Sequence, residues 1–217
     1  GVLTLGDSDT GVTVAADLLV GGTSTGTISL GDATVADGTT LTVGAGAANQ
    51  IDLDAITGAN GGGAVSNMTI NTTGVVTVAE AVGTNIGTVT VTQSGGITFS
   101  DTLGAATLAI TDTADSQAVT FADGQDVDLT SGFTVSNSGA DNYNVVINSL
   151  AKSGGKDAAV EAEKLLSKMH KLYENGDVHV KPNVVTYGAV IDAYAKSGEK
   201  FAAARADALL AKMIHLH

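Results

Sequence analysis

In the first two thirds of the chain, the best candidate for a binding site is a short acidic segment, residues 123–128. Asp123, Asp126 and Asp128 lie within six residues there. Carboxylate oxygens are hard ligands, and Ca²⁺ takes several of them. The segment lacks the alternate-residue spacing and the distal glutamate of an EF-hand loop. We therefore expect solvated turn aspartates and no cofactor, with bound Ca²⁺ as the alternative.

Few other residues have the types or the spacing that catalysis requires. The chain contains no cysteine, which excludes disulfides, thiolate metal sites and a cysteine nucleophile. Its four histidines do not follow the spacing of a zinc site. No serine stands in a G-x-S-x-G turn, and residues 154–157 lack the frame of a phosphate-binding loop. We expect no enzymatic activity.

The charges divide the chain into two modules. The first 151 of the 217 residues contain 15 carboxylates and no Lys or Arg, whereas residues 152–217 contain all ten cations and eight carboxylates. Glycine follows the same division, because 23 of the 28 lie in the first 151 residues. A Ser/Asn/Gly segment near residue 140 is the natural boundary. The sequence therefore predicts modules 1–140 and 141–217.

The first module has the pattern of short strands separated by turns. Val, Ile, Leu and Thr alternate in short runs between clusters of Gly, Asp, Asn and Ser. Pairs of runs recur at intervals of 19 to 22 residues. The aligned pairs are Met68–Asn71 with Val76–Glu80, Val89–Thr92 with Ile97–Asp101, and Leu108–Thr111 with Val119–Asp123, with a fainter copy relating Leu3–Asp7 to Ile28–Asp32.

A period of about 20 residues is too short for a compact domain, but it suits one coil of a β-solenoid. Successive coils would stack about 4.8 Å apart, with aliphatic side chains inside and Thr and Asn outside. We predict a parallel β-solenoid (β-helix) of about seven coils. The alternative is a β-sandwich with strands every 8 to 12 residues or so.

In composition and repeat, residues 1–140 resemble the β-solenoid passengers of bacterial surface proteins, such as autotransporters and large repetitive adhesins. The resemblance rests on pattern and has no diagnostic motif. It implies a secreted or cell-surface, non-catalytic, structural or adhesive role with protein or surface ligands. The run from Gly1 to Leu5 is strand-like with nothing before it, and uncovered edges pair with other chains. We expect a fragment of a longer chain or self-assembly, end to end into a filament or laterally.

In the second module the apolar period changes from two to 3.6, which predicts amphipathic helices. The pattern recurs with an offset of 44 residues. The matched positions are Tyr143 with Tyr187, Ile147 with Ile191, Lys152–Gly154 with Lys196–Gly198, Ala162 with Ala206, and Met169 with Met213. Two tandem helical hairpins follow from this repeat. The predicted fold class is α+β, a β-solenoid followed by α-solenoid-like helical-hairpin repeats.

A family resemblance rests on Asn142-Tyr143-Asn144, Ile147, Ala151-Lys152-Ser153-Gly154, Ala162, Leu165-Leu166, Met169, Gly176 and the run from Lys181 to Tyr187. At these positions the chain resembles the pentatricopeptide repeat proteins, over roughly 76 residues. The resemblance implies hairpins that stack into an α-solenoid and bind single-stranded RNA at one base per repeat. It implies Asn144 and Asn183 as base-reading residues of the first unit, and Gly188 of the second.

Two features weaken that implication. Gly188 has no side chain with which to read a base, and residues 152–217 carry a net charge of only +2. The competing interpretation is that the hairpins are packing units that cap the solenoid or bind a protein. The leading hypothesis is therefore an extracellular or cell-surface scaffold, adhesive or self-assembling. Single-stranded RNA binding in an organelle or the cytoplasm is the alternative. The sequence contains no run of about 18 apolar residues, so it predicts no membrane span.

Overall fold

The computed structural model describes residues 1–6, 11–23, 25–60, 62–111, 119–122, 127–135, 140–154 and 156–216. Across these ranges the chain forms a parallel β-solenoid followed by α-helices. The strands are β1 (Leu3–Leu5), β2 (Val12–Val14), β3 (Leu18–Val20), β4 (Ile28–Leu30), β5 (Ala33–Val35), β6 (Thr40–Val43), β7 (Ile51–Leu53), β8 (Ile56–Gly58), β9 (Ser66–Asn71), β10 (Val76–Val78), β11 (Val82–Gln93), β12 (Ile97–Phe99), β13 (Leu103–Ile110), β14 (Val119–Phe121) and β15 (Val127–Val135). The helices are α1 (Ala140–Ser153), α2 (Lys156–Glu174), α3 (Val184–Lys196) and α4 (Ala202–Leu216), with a 3₁₀ turn at Val178–Val180.

The strands stack coil upon coil in parallel. One side of the solenoid is a sheet in the order β1-β4-β7-β10-β12-β14. On the remaining sides, β2, β5 and β8 form one stack and β3, β6 and β9 form another. The long strands β11, β13 and β15 continue both stacks. Six strands in the first sheet correspond to about five turns of the solenoid.

Exact pairing from coil to coil sorts the side chains into columns. One inward column consists of Leu5, Leu30, Leu53, Val78, Phe99 and Phe121. From Leu30 onward its members are at most 2% exposed. The neighbouring outward column consists of Thr4, Ser29, Asp52, Thr77, Thr98 and Thr120. The core is thus a continuous apolar column, and removing it from water drives the coils together at about 25 cal/mol per Å².

The pairing confirms the β-solenoid and excludes the β-sandwich for this module. Val76 pairs with Ile97 and Ile97 with Val119, at the predicted offsets of 21 and 22 residues. Leu3 pairs with Ile28, as its fainter repeat predicts. The expected number of coils is too high, however, because the described residues form about five turns where the sequence predicts about seven coils.

The error in coil number has a physical cause. The repeat is clearest in the later coils, where one long strand such as β11 or β13 turns a corner without a break. The first three coils each contain three separate short strands, and the turns between them lengthen the coil. The first steps of the ladder, from β1 to β4, β7 and β10, accordingly take 25, 23 and 25 residues.

Helices cover the last coil of the solenoid. Helix α1 packs against β14 and α2 packs against β15. The Ser149 hydroxyl accepts a hydrogen bond from the Phe121 backbone N–H at 3.0 Å, where a further coil would supply a carbonyl. Tyr143, Ile147 and Leu150 of α1 are buried in the same core as the strands. The helices therefore close this end with apolar packing and a backbone partner, as the packing interpretation expects.

The four helices pack against one another, and together we call them the helical layer. Helix α1 contacts both α2 and α3, and α4 packs against α3. Strand β15 ends at Val135 and α1 begins at Ala140, so the segment that joins them coincides with the predicted boundary. Residues 136–139 of that segment lie outside the described residues. The division into modules 1–140 and 141–217 stays a prediction.

Removing one ring of the inward column tests the stacking. The Phe99 and Phe121 rings lie 5.4 Å apart at an interplanar angle of 13°. Phe99→Ala would leave a cavity and an unstacked ring, so we expect the free energy of unfolding to fall by about 3–5 kcal/mol. Thr98→Ala is the matched control on the outward side of the same strand, with an expected cost below about 1 kcal/mol. Urea unfolding measures both, and equal costs would contradict the inward column.

Candidate functional site

The structure brings the two residues predicted to read bases together through one hydroxyl. Thr186 Oγ1 donates to Asn144 Oδ1 at 2.7 Å and lies 3.2 Å from Asn183 Oδ1. Asn183 is the N-cap of α3, and its Oδ1 accepts from the backbone N–H groups of Val185 and Thr186 at 2.9 and 3.1 Å. Asn144 is only 7% exposed. Asn144 thus links α1 to the start of α3, which Asn183 caps, and a role in base reading stays a prediction.

The third predicted base-reading position lies in a different environment. Gly188 is exposed on α3, and beyond the neighbouring backbone of its own helix no described heavy atom lies within 4 Å of the place where a Cβ would stand. A larger residue would fit there without steric conflict. The glycine therefore leaves an open surface at the position where the family resemblance implies a base contact.

The predicted Ca²⁺ ligands cannot be placed. Asp123 and Asp126 lie outside the described residues, and the Asp128 side chain is not described although its backbone belongs to β15. Among the side chains that the structure does describe, no three carboxylates or histidines come together as a metal site. Ca²⁺ binding at residues 123–128 stays a prediction.

His170 is a packing residue of the helical layer. Its Nε2 lies 2.6 Å from the Tyr187 hydroxyl, and the two rings meet edge to face. Burial, with a smaller effect of the Lys212 charge, lowers the pKa of His170. The folded protein therefore binds this proton less readily than the unfolded chain does. Protonation of His170 below about pH 6.5 disfavours the folded state. The contribution of His170 to the free energy of unfolding therefore rises as the pH increases.

A groove between α2 and α4 is lined by four of the ten cations of the helical part. Its volume is about 460 Å³, and Tyr194 of α3 forms part of its wall. The charged residues of its lining are Lys164, Lys168, Lys171, Arg205 and Glu163. We call this surface the basic groove. A smaller adjoining depression shares Glu163 and Arg205 and adds Lys212.

Glu163, the carboxylate in the lining of the basic groove, already has hydrogen-bond partners in the same lining. Glu163 accepts hydrogen bonds from the Tyr194 hydroxyl and, at 3.4 Å, from Arg205. Burial and then this contact with Glu163 raise the pKa of Tyr194. Lys164 forms an ion pair with the buried Glu161 of the preceding turn. Lys164 and Arg205 therefore each have a carboxylate partner.

Two lysines in the basic groove keep their charge uncompensated. Within the described ranges, neither Lys168 nor Lys171 forms an ion pair with a carboxylate. Burial lowers the pKa of Lys168, because the ammonium group has lost part of its hydration. An anion placed in the groove would restore favourable interactions to both groups. The sequence patterns do not indicate this groove.

The first rung of the solenoid, which we define as β1–β3, is the second unusual surface. In the described structure these strands have pairing partners on one side only. Leu3 is 43% exposed, whereas its partner one coil later, Ile28, is 3% exposed. Leu18 is 37% exposed and its partner Leu41 is fully buried. The first rung thus exposes both backbone hydrogen-bonding groups and aliphatic side chains.

By its fold the chain is a β-solenoid protein with helices on its last coil. No protein-family model, curated protein or solved structure matches it. Both family resemblances therefore rest on the sequence patterns alone. No helix in the described ranges combines the length and the apolar character needed to cross a bilayer.

Two substitutions at Asn183 test its role as the N-cap of α3. Asn183→Ala removes the acceptor for two backbone N–H groups, so we expect the free energy of unfolding to fall by about 1 kcal/mol. Asn183→Asp keeps an oxygen acceptor beside the start of α3 and should cost much less. Chemical unfolding followed by circular dichroism measures both. An alanine variant as stable as the wild type would contradict the cap.

Proposed function

We propose that the protein is a non-enzymatic scaffold that assembles by pairing its first rung with the first rung of a second copy. The observation that carries this proposal is the difference between the two ends of the solenoid. The last coil is covered by α1 and α2, whereas β1–β3 keep uncovered strand edges in the described structure. A secreted or cell-surface location, and adhesion to a protein or surface ligand, belong to the same proposal.

Strand edges and apolar residues together favour a β partner. Each free edge presents backbone N–H and C=O groups that another strand can satisfy. Around them, Val2 is 71% exposed and Leu19 is 58% exposed. A second copy supplies strands of the same length and spacing, so it matches all three edges at once. A lone extended peptide would match only one of them.

The covered end determines the symmetry of the proposed assembly. Head-to-tail stacking would require a free edge on the last coil, where Ser149 already accepts from the Phe121 N–H. Two first rungs can meet around a two-fold axis, which gives a closed dimer. We therefore prefer an end-to-end dimer to the filament that the sequence suggested.

Charge opposes this assembly at low salt. The first 151 residues carry 15 carboxylates and no cation, so two solenoids repel each other. Screening shortens the range of that repulsion, to about 10 Å at 0.1 M salt. Association should therefore strengthen as salt is added, which is the opposite of an association driven by ion pairs.

Single-stranded RNA binding is the second hypothesis, and it rests on the resemblance of residues 141–217. The hydrogen bonds of Asn144 and Asn183 within the protein do not favour it. A filter-binding series with short single-stranded RNAs at low salt tests it directly. Binding that is lost in the double variant Asn144→Ala, Asn183→Ala, with the fold retained, would support base reading. No binding at low salt would end the hypothesis.

Charged substitutions on the first rung test the scaffold proposal. We expect sedimentation equilibrium to find a dimer whose dissociation constant falls as salt rises from about 0.01 to about 0.5 M. Val2→Lys, directly before β1, with Leu19→Lys in β3 places charges beside the free edges and should weaken dimerisation at least about tenfold. Val75→Lys with Ile214→Lys is the matched control, because both residues are exposed, at 56% and 65%, and lie outside the first rung. A wild-type protein that stays monomeric in high salt, or equal weakening by both double variants, would refute the proposal.

A further inference from the structure

The basic groove concentrates positive charge in an acidic protein. The chain carries a net charge of −13, yet the lining of the groove contains four cations and one carboxylate. These cations come from two helices that are separated in the sequence, since Arg205 belongs to α4 and the lysines to α2. Lys164 and Arg205 each pair with a carboxylate, whereas Lys168 and Lys171 have none in the described ranges and repel each other unless an anion lies between them. The arrangement is therefore typical of an anion site.

We propose that the basic groove binds a small oligophosphate of about three phosphoryl groups, either free or as the phosphate tail of a nucleotide. This inference is independent of the scaffold proposal, because the basic groove and the first rung share no residue. It also differs from base reading, since it involves neither Asn144 nor Asn183.

The dimensions of the groove set the size of the ligand. Lys164, Lys168 and Lys171 lie on one side of α2, and at 1.5 Å per residue they span about 10 Å of its axis. That length suits a short linear chain of phosphoryl groups lying along the helix. The volume of about 460 Å³ falls within the range of about 300–1,000 Å³ for small-molecule sites.

Chemistry on the opposite wall favours phosphate oxygens. The Arg205 guanidinium presents several N–H donors in a plane, one of which Glu163 accepts at 3.4 Å. On the side of the lysines, Ser167 of α2 adds a hydroxyl donor to the lining. Hydrogen bonds from cations to phosphate are shorter and stronger than neutral ones, and partial burial of Lys168 increases their benefit. The ligand would thus meet cations from both sides.

Calorimetry with sodium tripolyphosphate and the full chain tests the inference at low salt. We expect saturable binding of one anion per chain that weakens as salt is added. Lys168→Gln with Lys171→Gln should weaken it at least about tenfold, because the two uncompensated charges are lost. Lys152→Gln with Lys181→Gln changes the net charge equally outside the groove and should change affinity less than about twofold. Lys168→Arg with Lys171→Arg keeps the charge and should retain binding.

Other probes distinguish the sources of phosphate. Adenosine triphosphate that binds as well as tripolyphosphate indicates recognition of the phosphates alone, and tighter binding indicates the tail of a nucleotide. Single-stranded RNA that binds while tripolyphosphate does not would overturn the proposal in favour of a longer polyanion. Absence of tripolyphosphate binding at low salt, or equal weakening by the groove and control variants, would also overturn it. Circular dichroism of each variant establishes that its fold is retained.

Discussion

Parallel hydrogen bonding between successive coils is the interaction on which the rest of this structure depends. Each strand of the first sheet pairs residue for residue with the strand one coil away. A slip of one residue would turn every inward aliphatic side chain toward water, so the core and the ladder enforce each other. Since the chain has no cysteine, no disulfide helps to fix this register. Backbone pairing and apolar burial must hold it.

A stack of coils has a strand edge at each end, and the two ends of this solenoid differ. At one end a helical layer supplies apolar cover and a hydroxyl acceptor for the Phe121 N–H. At the other end β1–β3 remain uncovered in the described structure. The charges follow the same division, because the coils are acidic and the cations lie in the helical part. One chain therefore has an uncovered strand edge, for which we propose self-assembly, and a basic groove, for which we propose an anion.

The register of the solenoid could be predicted from the sequence because equivalent positions stack directly on each other. Val76, Ile97 and Val119 occupy one column, and their spacing along the chain is the length of a coil. The number of coils could not be predicted as well, because the early coils have three separate strands and variable turns. The basic groove was missed for a different reason. Its lysines recur at helical spacing on α2, but only tertiary packing brings Arg205 opposite them.

Disulfide trapping in the outward column tests the stacking most directly. Thr77, Thr98 and Thr120 occupy equivalent positions on three successive coils, and the chain has no cysteine that would compete with cysteines introduced there. Adjacent positions should lie about 4.8 Å apart and alternate ones about twice that, beyond the reach of a disulfide at about 7 Å. Under mild oxidation, cysteine pairs at 77 and 98 and at 98 and 120 should cross-link within one chain, and the pair at 77 and 120 should not. Cross-linking of 77 to 120, with neither adjacent pair reacting, would contradict the in-register solenoid.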